Sequence, residues 1–162
     1  MTGKSARTSF LIRLLQLKIY NEMVEGLRQF DITPFQYMAL SLASHDGKWS
    51  AADLARRFQI RPQSMNEVIA ALEAKELIAR EEAPDHGRIL HVRLTGAGTR
   101  LLNKCDREID RIEGMVFVGF TGAEVNAFRK MLYRALAGLD RSRRGELALA
   151  SPGTERSQRT AS

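Results

Sequence analysis

The sequence predicts a mainly α-helical fold that carries one small β-hairpin. Three observations predict it. Ser50–Phe58 and Pro62–Lys75 read as two short helices joined by a tight turn. Ile78–Glu82 and Arg88–Leu94 flank the turn Ala83–Gly87 and read as a two-stranded hairpin. Long amphipathic stretches stand on both sides of this unit. The first two observations describe a winged helix-turn-helix over residues 33–94. The third adds a helical dimerisation bundle from residues 8–30 and 96–140.

In chain order, residues 1–7 are small and polar and are expected to be flexible. Thr8–Arg28 is a long helix. Its apolar residues, among them Phe10, Leu14, Leu17, Val24 and Leu27, occupy more than one narrow stripe, so it must bury two faces. Thr33, Pro34 and Gln36 form a helix start, with Thr33 as cap, Pro34 in the first turn and Gln36 closing a capping box. That helix is expected to stop before Gly47. Ser50 and Asp53 open the next helix in the same way, and Thr121 and Glu124 open the last, which is expected to end near Gly138–Asp140. Thr95 is a cap for the helix that begins at Gly96.

The two C-terminal helices share a spacing. Leu102, Cys105, Ile109, Ile112 and Val116 recur at intervals of 3, 4, 3 and 4, and Val125, Phe128, Leu132, Ala135 and Leu139 repeat it. Such a period favours side-by-side packing along the helix length. An antiparallel pair, joined by the first long helix, would make the bundle of a homodimer; packing within one chain is the plainer alternative. Residues 141–162 are rich in Arg, Ser, Gly and Thr and are expected to be disordered.

Composition narrows the function classes. The chain has 162 residues, 44% hydrophobic and 27% charged, as in an ordinary globular protein. No apolar run is long enough to span a bilayer, and the N-terminus lacks a signal-peptide pattern, so the expected location is cytoplasmic. The lone Cys105 excludes an intrachain disulfide. The scattered His45, His86 and His91 offer no metal-ligand spacing. There is no glycine-rich phosphate loop, nucleophile elbow or carboxylate pair with a positioned base, so neither catalysis nor a cofactor is expected.

The net charge of +6 favours a polyanionic partner. The tail from Arg141 holds five Arg and two Glu, a net of +3, which leaves +3 for the remaining chain. The folded part is therefore only mildly basic, and specificity should rest on a few positions. If Pro62–Lys75 enters the major groove of double-stranded DNA, its exposed start presents Arg61, Gln63, Ser64, Asn66 and Glu67 to base edges. Gln and Asn match adenine, and Arg matches guanine. Ser50, with the N–H groups after it, is a phosphate candidate at a helix N-terminus. Arg56, Arg57 and Lys75 are further phosphate candidates. In the hairpin, Leu90, Val92 and Leu94 are expected to face inward. Asp85, His86, Gly87 and Arg88 form the tip, with Arg88 gripping the minor groove or the backbone.

The run LEAKELIAREEAPDHGRILHVRLTGAG, within this element order, resembles the signature of the MarR family of winged helix-turn-helix transcriptional regulators. Leu72, Glu73, Lys75, Leu77, Arg80, Asp85, Arg88, Leu94, Thr95 and Gly98 match it. The resemblance covers about residues 8–140 and implies a homodimer on a pseudo-palindromic operator, probed by helix and wing and released by a small molecule or by oxidation. It also implies an effector pocket between the dimerisation helices and the DNA-binding lobe, for which Tyr20, Met23, Tyr37, Met38, Ser41 and Trp49 are candidates suited to an aromatic or phenolic ligand.

The chain departs from the family pattern at several places. Gln59 replaces the usual glycine of the helix-turn-helix turn, at little cost if that turn avoids positive φ. Glu76 stands where glycine is common after the recognition helix. If that position is left-handed, it costs on the order of 1 kcal/mol. Glu67 replaces a common basic residue, and the paired wing arginines are reduced to Arg88. The expected function is a sequence-specific DNA-binding regulator, a repressor released by its ligand. Two alternatives are a winged-helix protein-interaction module and a thiol-based redox sensor. The second is weakened by Cys105 lying at an apolar position of its helix, where a thiol is usually inert.

Overall fold

A computed structural model describes residues 6–45, 49–83 and 86–149, without the side chains of 83, 86–89 and 142–149. The chain divides into two units, Met1–Val116 and Phe117–Ser162. The first holds α1 (Thr8–Arg28), α2 (Pro34–Ser44), β1 (Trp49–Ser50), α3 (Ala51–Phe58), α4 (Pro62–Ala74), β2 (Ile78–Ala83), β3 (His86–Leu94) and α5 (Gly96–Val116). The second holds α6 (Gly122–Leu149). The fold is mainly α-helical with one small antiparallel sheet, as expected.

Local capping explains most helix starts. Thr33 Oγ1 accepts from the Gln36 N–H, and Gln36 returns a bond to the Thr33 N–H, with Pro34 in the first turn. Ser50 and Asp53 do the same for α3. Thr95 Oγ1 accepts from the Gly98 N–H at 3.0 Å and donates to the Glu76 carbonyl at 2.7 Å, so one hydroxyl caps α5 and ties it to the end of α4. Each box satisfies donors that a helix start otherwise leaves without partners.

Three helix ends are closed without glycine. Asp31, Gln59 and Glu76 have φ of 55°, 53° and 55° and follow α1, α3 and α4. After each, the next residue reaches back five positions: Ile32 to Leu27, Ile60 to Ala55 and Leu77 to Leu72. This is the left-handed closure that glycine usually makes. The expected turn at Gln59 is thus left-handed after all. Gln59 and Glu76 each carry a strain on the order of 1 kcal/mol. The buried Ile32 and Leu77 anchor two of the closures in the core.

The sheet is three-stranded, in the order β1-β3-β2. β1 extends the expected two-stranded hairpin, pairing Trp49 with Val92 and Ser50 with His91. β2 and β3 run from Ile78↔Leu94 to Glu82↔Leu90, with an irregularity between Glu82 and Ala83. Two residues are too few to show an alternation, so β1 was invisible in the sequence. The core lies between α2, α3, α4, the sheet and the start of α5. Leu40, Leu54, Met65, Ile69, Leu72 and Val92 are its most buried large members. Gly98 sits where a Cβ would fall 1.9 Å from the Leu77 carbonyl oxygen, so only glycine lets α5 leave the sheet there.

α1 packs on α5, and its other side leaves Phe10, Leu11, Leu14 and Leu17 exposed. On α5 the spaced residues Leu102, Cys105 and Ile112 are buried within the unit. In the second unit, Phe117 meets Phe120 and Phe128 edge-on, with centroids 5.8 and 5.9 Å apart. Thr121 and Glu124 cap α6 reciprocally. The end of α6 corrects an expectation: the helix passes Asp140 and continues to Leu149. Arg, Glu, Leu and Ala after Gly138 favour helix strongly enough to carry it on. The expected stop at Gly47, the flexible residues 1–5 and the tail beyond residue 149 lie outside the described residues.

Candidate nucleic-acid interface

Helix α4 is amphipathic in the way its expected role requires. Met65, Ile69 and Leu72 are buried, while Arg61, Gln63, Ser64, Asn66 and Glu67 are exposed. Arg61 is the residue before the first turn, and Pro62 fixes that turn. Beside this start lies a groove of about 560 Å³, walled by the beginning of α3, by Pro62 and Asn66 of α4, and by the sheet.

The groove brings together three expected residues, Ser50, Arg56 and Asn66. It adds Arg80, Leu90 and His91, which sequence reasoning missed as site residues. Arg80 and Val92 are cross-strand partners, so strand alternation was the signal that could have placed Arg80. Arg80 Nε also donates to Glu73 Oε2 at 2.9 Å, holding β2 to α4. Leu90 corrects an expectation: it is 44% exposed rather than facing inward. The core ends beneath Val92, and Leu90 lies beyond it on the groove wall.

Electrostatics revise two phosphate candidates. The Ser50 N–H and hydroxyl both donate to Asp53 Oδ2. Those bonds, with help from Arg56 and against desolvation, hold the Asp53 carboxyl below its usual range. A carboxylate therefore already occupies this helix N-terminus, and a phosphate there would meet like charge. Ser50 is the cap of α3 and not a free phosphate donor. Arg56 pairs with Asp53, but its side chain is 74% exposed. Such a pair contributes little and leaves the guanidinium able to swing outward.

Lys75 is the second revision. It caps the far end of α4, about 20 Å from Pro62 at 1.5 Å per residue. There its Nζ is 2.7 Å from Asp31 Oδ2 and also donates to the Asp31 carbonyl. It is committed to the α1–α2 turn rather than to the face of Asn66. The side chains of His86 and Arg88 lie outside the described residues.

The six effector candidates lie on α1, α2 and β1. Tyr20 lines a cleft of about 460 Å³ beside the α1–α2 turn. Tyr37 donates to Asp106 Oδ1 at 2.9 Å, which joins α2 to α5. Burial, and then that hydrogen bond, raise its phenol above the ordinary range. Trp49 lies in β1 against the core, with its Nε1–H on the His45 carbonyl. Met23, Met38 and Ser41 are half-buried on α1 and α2. Cys105 is fully buried, and burial followed by Asp106 pushes its thiol up to about 11, which disfavours the thiolate that redox sensing needs. Among the described residues no cluster of His, Cys, Asp or Glu could hold a metal ion, and no helix is long and apolar enough to cross a membrane.

A helix-turn-helix joined to a three-stranded wing defines the class: a winged helix-turn-helix protein. A sequence profile of the MarR family matches residues 30–89. The HTH-type transcriptional repressor Rv2887 of Mycobacterium tuberculosis is 28% identical over 111 residues, covering 68% of this chain and 80% of the relative. The crystal structure of that MarR family protein in complex with salicylic acid superposes with a TM-score of 0.67 at 25% identity, over 82% of this chain and 98% of the other. A mutant MarR from E. coli complexed with operator DNA gives a TM-score of 0.68 at 20% identity, over 79% and 92%. Over residues 30–89 the winged helix-turn-helix of this chain is similar to that of the MarR family.

Proposed function

We propose that the chain is a sequence-specific DNA-binding transcriptional regulator, a homodimeric repressor whose operator is pseudo-palindromic. The observation that carries this reading is the exposed polar start of α4 above a fully buried face. Arg61, Gln63, Ser64 and Asn66 are free of the core and can meet base edges, while Met65, Ile69 and Leu72 hold the helix in place. Arg56 and Arg57 would lie along a phosphate strand, and Arg88 would anchor the wing. The relative Rv2887 bears the name of a repressor, and a MarR structure holds operator DNA, which supports the same reading.

Exposed apolar residues support the homodimer. Phe10, Leu11, Leu14 and Leu17 on α1, and Met131, Leu136 and Leu139 on α6, leave surface that a second copy would cover. The two recognition helices would then address half-sites about one helical turn apart. A small aromatic or phenolic ligand that favours another spacing would release the operator. The salicylic acid complex of Rv2887 makes that ligand class the first to try.

Genomic binding, followed by a salt titration on the strongest site, tests the reading. We expect a defined sequence preference and an affinity that falls steeply with salt. Asn66→Ala should relax sequence choice, with a loss of about 1–3 kcal/mol at the preferred base. Arg56→Ala should weaken all sites alike and reduce the salt slope by about one. Binding without sequence preference or salt dependence would sink the regulator reading. A stoichiometric protein partner retained without DNA would favour the interaction-module alternative.

A further inference from the structure

The outer side of α5 carries charge that the core does not use. From Arg100 to Arg107 the exposed residues are Arg100, Asn103, Lys104 and Arg107, while Leu102 and Cys105 are buried on the other side. Arg100, Lys104 and Arg107 stand four and three positions apart. They therefore share one side of the helix, within about 60° of arc, and span about 10.5 Å along it. Arg111 continues the row, but Glu108 holds its guanidinium at 2.7 Å. Arg100, Lys104 and Arg107 form no ion pair among the described residues. The other carboxylates of α5, Asp106, Asp110 and Glu113, fall on a different side by the same helical count. Asp106 is engaged there by the Tyr37 hydroxyl.

Folding does not account for this row. Like charges three and four positions apart on a helix repel, so unpaired cations there weaken α5. No apolar side chain is exposed among them, and the row lacks the apolar anchor around which a protein interface is built. Cations without apolar neighbours suit a phosphate backbone, which is bound through charge and carries no sequence information. Position separates the row from the operator face. α5 starts at Gly96, where Thr95 ties it to the end of α4. From this junction the reading start of α4 lies about 20 Å away along its helix, and the turn end of β3 at His86 about 26 Å away along its strand. α5 itself runs on against α1 and α2.

We propose that Arg100, Lys104 and Arg107 form a second surface for duplex DNA, which grips the phosphates of a segment other than the one read by α4. A chain bound at its operator then holds another stretch of DNA at the same time and brings the two segments together. The second contact is independent of sequence. With three phosphates engaged per chain, its affinity should fall with salt along a log–log slope of about −2.7. The surface extends the DNA-binding reading above, and takes from it only the operator that fills the α4 face.

The test uses the full chain saturated with its strongest genomic duplex. A labelled duplex of scrambled sequence is added, and two-colour sedimentation reads the ternary complex. The parent chain should hold both duplexes. Arg100→Gln, Lys104→Gln and Arg107→Gln together keep a helix-favouring residue at each exposed place, so this variant should fold. It should bind the scrambled duplex about tenfold or more weakly and keep its operator affinity within about twofold. Lys130→Gln, Arg134→Gln and Arg141→Gln together remove the same charge from exposed positions of α6 and should leave the second duplex bound. No ternary complex, an equal loss in both variants, or a parallel loss of operator affinity in the α5 variant would overturn the second surface. So would displacement of the scrambled duplex by polyglutamate as readily as by unlabelled duplex of equal charge, which would assign the row to an acidic protein. Failure of this surface is distinguishable from failure of the regulator reading. If the operator binds with sequence preference and no second duplex joins it, the regulator reading stands and the surface falls. If duplexes bind only through Arg100, Lys104 and Arg107, without sequence preference, the surface stands and the regulator reading falls.

Discussion

Helices α5 and α6 carry the same apolar spacing and meet opposite fates. On α5, Leu102, Cys105 and Ile112 are at most 5% exposed. On α6, Leu132 is 36% exposed and Leu139 64%. A 3-4 repeat states which face of a helix is apolar; it does not state what covers that face. α5 finds its cover inside its own unit, against α1, α2 and the sheet. The exposed residues of α6 are the ones left for a partner copy in the proposed dimer.

The largest effect that can break this comparison lies at the root of α5. Gly98→Ala places a methyl against the Leu77 carbonyl, and backbone cannot yield as a side chain does. We expect a loss on the order of 4 kcal/mol, above the usual overpacking range, measured by chemical denaturation. A near-neutral result would mean that α5 leaves the sheet by another route. Ile112→Ala removes a buried side chain near the end of α5 and should cost about 3 kcal/mol in the same experiment.

Leu139→Ala on α6 provides the contrast. The stability of the protomer should move by about 0.5 kcal/mol or less, because the side chain is already exposed. If the dimer is right, the variant should instead shift the monomer–dimer equilibrium, read by sedimentation across a dilution series. An unchanged equilibrium for both Leu139→Ala and Leu136→Ala would remove α6 from the interface. Equal destabilisation of Ile112→Ala and Leu139→Ala would erase the distinction itself.

The smallest effect concerns pH at the start of α6. Thr121 donates from its backbone N–H and its hydroxyl to Glu124, which holds that carboxyl below its usual range. A depressed folded value means that the cap helps the helix above the unfolded carboxylate value, and that this help is lost as pH falls through the depressed one. An NMR titration should find the Glu124 midpoint below that of an unpaired glutamate. Thr121→Ala should raise it. An ordinary midpoint in the parent chain would show that α6 starts without this box.

Much of the fold was legible because its signals are local. A capping box lies within one turn, so Thr33 with Gln36, Ser50 with Asp53 and Thr121 with Glu124 marked their helix starts directly. The polar start of α4 was legible for the same reason, since helical period separates Asn66 from Met65 and Ile69. The Ser50 and Lys75 roles were misjudged because residue type alone does not show a committed partner. Asp53 neutralises the anion-binding promise of the α3 start. Asp31, far away in sequence, takes the Lys75 ammonium.

The sequence by itself determined the order of elements, their starts and the apolar face of each helix, because those depend on neighbours within about one turn. Tertiary structure alone decided the rest. It added β1, which exists only where Trp49 and Ser50 meet β3. It made Asp31, Gln59 and Glu76 left-handed, since the buried residues that follow two of them must turn into the core. It buried Leu102, Cys105 and Ile112 of the α5 stripe and left Leu132 and Leu139 of the α6 stripe exposed. Burial and pairing depend on which distant segment arrives, and hydrophobic and ionic attraction carry no record of sequence distance.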